Sequence, residues 1–158
     1  MAPVQAAQLE GRKPDLDTAR RTLSALCARH AVIVVEGIGG LLVPLDSKTL
    51  CVDFIRETGF PVILVARAAL GTINHTLLSL HELDRAGISN VALVMNVTRQ
   101  EDDKNLVSSI EEIERHAGRK VTAIMPHNSS QTTCDAQRAA LCVLEHVKIQ
   151  PSLKRPRQ

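Results

Sequence analysis

Residues 60–96 read FPVILVARAALGTINHTLLSLHELDRAGISNVALVMN. Pro61–Ala66 is an apolar, β-branched run of strand length, the pattern of a buried strand. Residues 72–86 then place Ile73, Leu77, Leu80 and Leu83 at helical spacing, with Gly87 as the stop. Val91–Met95 is a second continuous apolar run. Strand, helix and strand in this order predict a right-handed βαβ unit and a parallel sheet.

The alternation extends in both directions. Upstream, Ala31–Val35 reads as a strand buried on both faces, and a glycine-bearing loop follows over 37–45. A short helix is expected near 49–58, with Leu50, Phe54 and Ile55 on one side and Gly59 at its end. Asp15 is placed to cap a helix over 16–29, whose stripe is Leu16, Ala19, Leu23 and Leu26. Downstream, a helix is expected over 103–117 with Leu106, Val107, Ile110 and Ile113 inward. A strand at 121–125, closed by Pro126, and a last helix over 135–148 complete the pattern. The fold class is α/β, a doubly wound and mostly parallel sheet with helices on both faces, in one domain over 1–147.

Composition narrows the functions. The only aromatic residues are Phe54 and Phe60, so the core is aliphatic and the stacking platforms of single-strand nucleic-acid binders are excluded. The net charge of +2 is too small to imply a polyanion partner. Much of the excess sits in a basic tail at 148–158, which holds Lys148, Lys154, Arg155 and Arg157 between prolines and is expected to fray. No apolar run is long enough to span a bilayer. The first thirty residues lack a signal-peptide core and carry Glu10, Asp15 and Asp17. A cytoplasmic location is therefore expected, with Cys27, Cys51, Cys134 and Cys142 reduced.

Ligands of open parallel sheets bind outside the carboxyl ends of the strands. Those ends fall at Glu36, Arg67, Asn96 and Pro126. Glu36-Gly37-Ile38-Gly39-Gly40 combines a carboxylate for a divalent ion or a cationic group with backbone that a ligand can approach. The bland alternative is a tight turn with a solvated Glu36. Gly71-Thr72-Ile73-Asn74 opens a helix whose free N–H groups suit an anion, or else simply caps it through Thr72. Asn96 has the donor–acceptor pair that reads adenine, or it only turns the chain. The histidines lack zinc spacing, no G-x-S-x-G elbow is present, and G-x-x-x-x-G-K-[ST] occurs nowhere in the 158 residues.

VVEGIGGLLVPL at 34–45, the run at 60–80 and GISNVALVMN at 87–96 together closely resemble dethiobiotin synthetase. The similarity runs from Ala2-Pro3 to about Pro126. It implies a P-loop NTPase-like fold and an ATP-dependent ligase of biotin biosynthesis. Such an enzyme forms the ureido ring of dethiobiotin from 7,8-diaminononanoate and CO2, with ATP and Mg2+. The resemblance assigns the metal-coordinating and catalytic acid to Glu36 and the phosphate and substrate lining to Gly37, Ile38 and Gly39. Asn96 and Val97 would meet adenine, and Pro126, His127 and Asn128 would border the base. Thr72, Ile73 and Asn74 would hold the substrate's tail carboxylate across a homodimer interface.

Ile38 stands where the family often has Ala. The family's Walker A strand, its lysine and one acidic metal ligand fall in an N-terminal segment upstream of what this chain matches. The sheet is then incomplete at its N-terminus, and the chain alone is expected to be incompetent without that segment or a P-loop-bearing partner. Two other readings are a non-catalytic dimerising remnant and a P-loop superfamily synthetase acting on another substrate.

Overall fold

The computed structural model describes residues 1–99, 105–127 and 132–147, with the side chains of 132–136 outside that description. Met1–Thr58 forms one compact unit, and a second begins at Gly59.

The first unit holds three helices: α1 (Pro3–Leu9), α2 (Leu16–Arg29) and α3 (Cys51–Thr58). The sequence pattern did not announce α1; Pro3 stands at its start, and the Gln5 side chain accepts from the Ala2 N–H at 3.1 Å. α2 has the expected bounds and cap, with Thr18 N–H donating to Asp15 Oδ1 at 2.9 Å. Arg20 ties α2 to α3. Its guanidinium donates to both Glu57 oxygens, at 2.9 and 3.2 Å, and to Asp17 at 2.9 Å.

Residues 31–35 overturn an expectation. They form no strand, and Val32 and Val34 are 63% and 85% exposed. A strand exists only where its peptide groups find a ladder partner, and no strand pairs with this segment among the described residues.

The second unit contains β1 (Val62–Arg67), α4 (Thr72–Arg85), β2 (Val91–Asn96), α5 (Leu106–Ala117), β3 (Ala123–Met125) and α6 (Thr132–Val147). The strands form a parallel sheet in the order β1-β2-β3. Every residue of β2 from Val91 to Met95 is buried, as its unbroken apolar run requires. On one face Ala92, Val94 and Ala123 pack with Ala139, Val143 and Val147 of α6. On the other stand Val91, Leu93 and Met95; α4, with buried Leu80 and Leu83, packs against β1 and against α5, with buried Ile113.

Two burial expectations fail for related reasons. β1 is an edge strand, and α6 packs over β2 and β3. Ile63 and Val65, on the α6 face by register, therefore remain 49% and 58% exposed. Val107 lies in the first turn of α5 and is 68% exposed, while Ile113 carries the contact.

Among the described residues, no helix is long and apolar enough to cross a membrane. The tail at 148–158 and the beginning of the expected helix at 103 lie outside the described residues.

Candidate functional site at the carboxyl ends of the strands

Parallel register brings three strand ends side by side. Arg67 pairs with Asn96, and Asn96 pairs with Met125. The chain leaves β1 as Ala68 N–H donates to Asn96 O at 2.8 Å, and leaves β2 as Val97 N–H donates to Met125 O at 2.9 Å. Val97 is buried, Asn96 and Pro126 are half-buried, and His127 is exposed. Four of the predicted base-binding residues, Asn96, Val97, Pro126 and His127, thus share one edge of the sheet. The half-buried Asn96 carboxamide offers one donor group and one acceptor there. Asn128 lies outside the described residues.

Thr72, Ile73 and Asn74 form the first turn of α4, which the four residues 68–71 separate from the end of β1. The N-cap is Gly71, not Thr72. Thr72 instead turns inward: it is buried, with its hydroxyl 3.5 Å from that of the buried Thr76, and its N–H donates to Ala69 O at 2.9 Å. The N–H groups of Ile73 and Asn74 have no acceptor among the described residues, as expected in a first helical turn. The anion-binding part of the expectation therefore rests on Ile73 and Asn74.

Glu36 to Gly39 belong to the first unit. Glu36 is exposed, in an irregular segment rather than at a strand end. The loop after it folds onto the start of α3. Val52 N–H donates to Leu41 O, and Cys51 N–H donates to Val43 O, both at 2.9 Å. Gly39 has φ +73°, and a Cβ built there would lie 2.9 Å from Val43 Cγ2. A Cβ on Gly37 would meet Cys51 Sγ at 3.3 Å. Burial pushes the Cys51 thiol up, partly offset by the Ile38 N–H that donates to it. Sequence reasoning missed this thiol under the glycine loop. A cysteine thirteen residues from Ile38 gives no pattern signal.

Donor chemistry tests the metal assignment. No three His, Cys, Asp or Glu side chains converge among the described residues, so no all-protein metal cage forms there. Mg2+ does not need one, because it takes one or two carboxylates, water and substrate phosphates. One exposed Glu36 beside backbone-rich glycines fits that manner of binding.

A parallel α/β sheet with polar groups at its carboxyl edge is the frame of a nucleotide-binding domain. A protein-family model described as an AAA domain matches residues 1–133, and the chain belongs to that family, with its P-loop NTPase-like fold. The chain is 44% identical over 126 residues to the ATP-dependent dethiobiotin synthetase BioD of Anaeromyxobacter dehalogenans strain 2CP-1, covering 80% of this chain and 56% of that protein. It is 42% identical over 103 residues to the protein of the same name from Chlorobaculum tepidum, covering 65% and 43%. It is 41% identical over 107 residues to the biotin biosynthesis bifunctional protein BioCD of Bordetella avium, covering 68% and 22%. The chain spans about half the length of the first of these relatives.

Proposed function

We propose that this chain is the nucleotide- and substrate-facing portion of an ATP-dependent dethiobiotin synthetase. It would close the ureido ring of dethiobiotin from 7,8-diaminononanoate and CO2, in the cytoplasm and as a homodimer. The observation that carries this reading is the 44% identity to BioD over 126 residues. That matched stretch includes both the Glu36 loop and the Asn96 edge.

The residues divide the work. Asn96 and Val97, with Pro126 to Asn128, receive adenine. Asn96 pairs with its Watson–Crick or Hoogsteen edge, and the buried Val97 holds the backbone flat against it. Glu36 supplies a carboxylate for Mg2+, and the backbone of Gly37, Ile38 and Gly39 lines the phosphates and the substrate amines. The free N–H groups of Ile73 and Asn74 take the substrate's tail carboxylate, strengthened by the α4 dipole; Thr72 sets that turn from inside. ATP activates the carbamate of one substrate amine so that the second amine can displace phosphate. Catalysis of this kind rests on positioning and charge neutralisation. No Walker A loop occurs in these 158 residues, so the triphosphate cradle comes from a further segment or a partner polypeptide.

The test is reconstitution. The chain is co-expressed with the part of the A. dehalogenans relative that precedes its match to this chain. Dethiobiotin formation is then assayed with diaminononanoate, bicarbonate and Mg-ATP. Product that disappears in Glu36→Ala is expected. A stable complex that makes no product, while the intact relative does, would refute the reading.

A further inference from the structure

The last turn of α6 is tied to the start of β2 by two contacts. Asn90 Nδ2 donates to Val147 O at 3.2 Å, and His146 Nε2 lies 3.1 Å from Val91 O. A carbonyl oxygen only accepts, so Nε2 carries the imidazole proton, and in the neutral ring Nδ1 keeps a bare lone pair. The fold supplies the reason for this contact. β3 begins at Ala123 and pairs with β2 only from Val94 onward. Leu93 O still accepts from Thr122 N–H at 2.8 Å. Val91 O, two residues earlier on the same side, lies past the end of that ladder, and His146 supplies the donor that β3 does not reach to give.

Cys142 and His146 stand four residues apart on α6, and each directly precedes a valine buried against the sheet, Val143 and Val147. They therefore share one flank of the helix, with Cβ atoms about 5–6 Å apart. The Cys142 thiol is free and exposed. Both side chains line an open groove of about 400 Å³ with Lys120, Val121, Thr122 and Glu145. The Lys120 ammonium is paired with Glu114, and Glu145 adds a carboxylate to the lining. A ring nitrogen held by a backbone carbonyl, with the other nitrogen free, is the arrangement of a metal-ligating histidine. A thiolate is a soft second ligand, and i, i+4 on one helix face is the spacing of paired zinc ligands. The C-terminal turn of a helix also favours positive charge.

We propose that Cys142 and His146 form a site for a thiophilic divalent cation of the Zn2+ class on the last turns of α6. Cys142 Sγ and His146 Nδ1 are its protein ligands, and water fills the remaining positions. The thiol proton passes to solvent as the metal binds. Two protein ligands agree with the lack of any three-residue cluster among the described residues. The site lies at the opening of β2, away from the carboxyl edge that Asn96 ends, and does not depend on the function proposed above. Its effect is to hold the last turn of α6 on β2.

The test uses the 158-residue chain with Cys27→Ser and Cys134→Ser, which leaves Cys142 and the buried Cys51 as its thiols. Co2+ is the probe. A thiolate ligand gives it an intense near-ultraviolet charge-transfer band, and a chain with no Trp or Tyr leaves that region clear. The band is expected, with displacement by Zn2+ but not by excess Mg2+, which prefers oxygen. Adding Cys142→Ser should abolish it. His146→Gln keeps a donor for Val91 O but removes Nδ1, and should weaken Co2+ binding by about tenfold or more. Should that variant fail to fold, the Nδ1 resonance of the parent chain, read by nitrogen-15 NMR, takes its place. Zn2+ should shift it strongly and leave Nε2 protonated. Free Zn2+ at about ten times its Kd should slow amide exchange in the last turn of α6 by up to about tenfold. No band, a band that survives Cys142→Ser, or an affinity unchanged in His146→Gln would overturn the proposal, as would an unmoved Nδ1 resonance.

Discussion

Replacing Gly39 by alanine tests whether the loop after Glu36 is held as the structure shows. Gly39 has φ +73°, where an L-residue costs about 1–2 kcal/mol. The new methyl would also stand 2.9 Å from Val43 Cγ2. Overpacking of this kind costs about 1 kcal/mol or more. The sum is about 2–3 kcal/mol, or roughly 30- to 150-fold in a local opening equilibrium. The chain has no Trp or Tyr, so fluorescence offers no probe. Hydrogen exchange does. The amides of Cys51 and Val52 bond to Val43 O and Leu41 O, and they report opening of this loop directly. Their protection should fall by that factor. Val43→Ala removes the opposing Cγ2, so in that background Gly39→Ala should cost only the backbone part, about 5- to 30-fold. Equal losses in both backgrounds would refute the contact. No loss in either would refute the left-handed conformation.

Leu83 is fully buried in α4, and Leu83→Ala should lower stability by about 2–5 kcal/mol, read as a shift in the urea midpoint by circular dichroism. Glu114 is held below the ordinary carboxylate range by Lys120 and by the Val121 N–H at 2.9 Å. Its contribution is therefore present above its unfolded pKa and is lost as pH falls through the lower folded value. Val121 amide protection should decline in that acid window and become flat in Glu114→Gln. In the reconstituted enzyme, Asn96→Ala should raise KM for ATP by about tenfold, the worth of one lost hydrogen bond, and leave KM for diaminononanoate unchanged. A change confined to diaminononanoate would move Asn96 away from the base.

The parts of the fold that were legible in the sequence are those decided by local chemistry. Asp15 fixes the beginning of α2, and Gly118 ends α5 as the αL residue beyond Ala117. The apolar run of β2 announces burial on both faces, because a central strand has both its neighbours within the same stretch of chain. Where sequence reading went astray, the missing information was the neighbour. Ala31–Val35 and Val62–Ala66 have nearly the same composition as β2, yet one forms no ladder and the other is buried on one side only. An apolar, β-branched run encodes readiness to pair. It does not encode whether a partner is at hand. The site divides along the same line. The placement of Asn96 and Val97 at the end of β2 was legible because a strand end fixes its own last residue. The inward turn of Thr72 was not, because it depends on Gly71 taking the cap and on Thr76 one turn later. The two segments that departed most from expectation, 31–35 and β1, each precede a loop to which phosphate or substrate contacts are assigned.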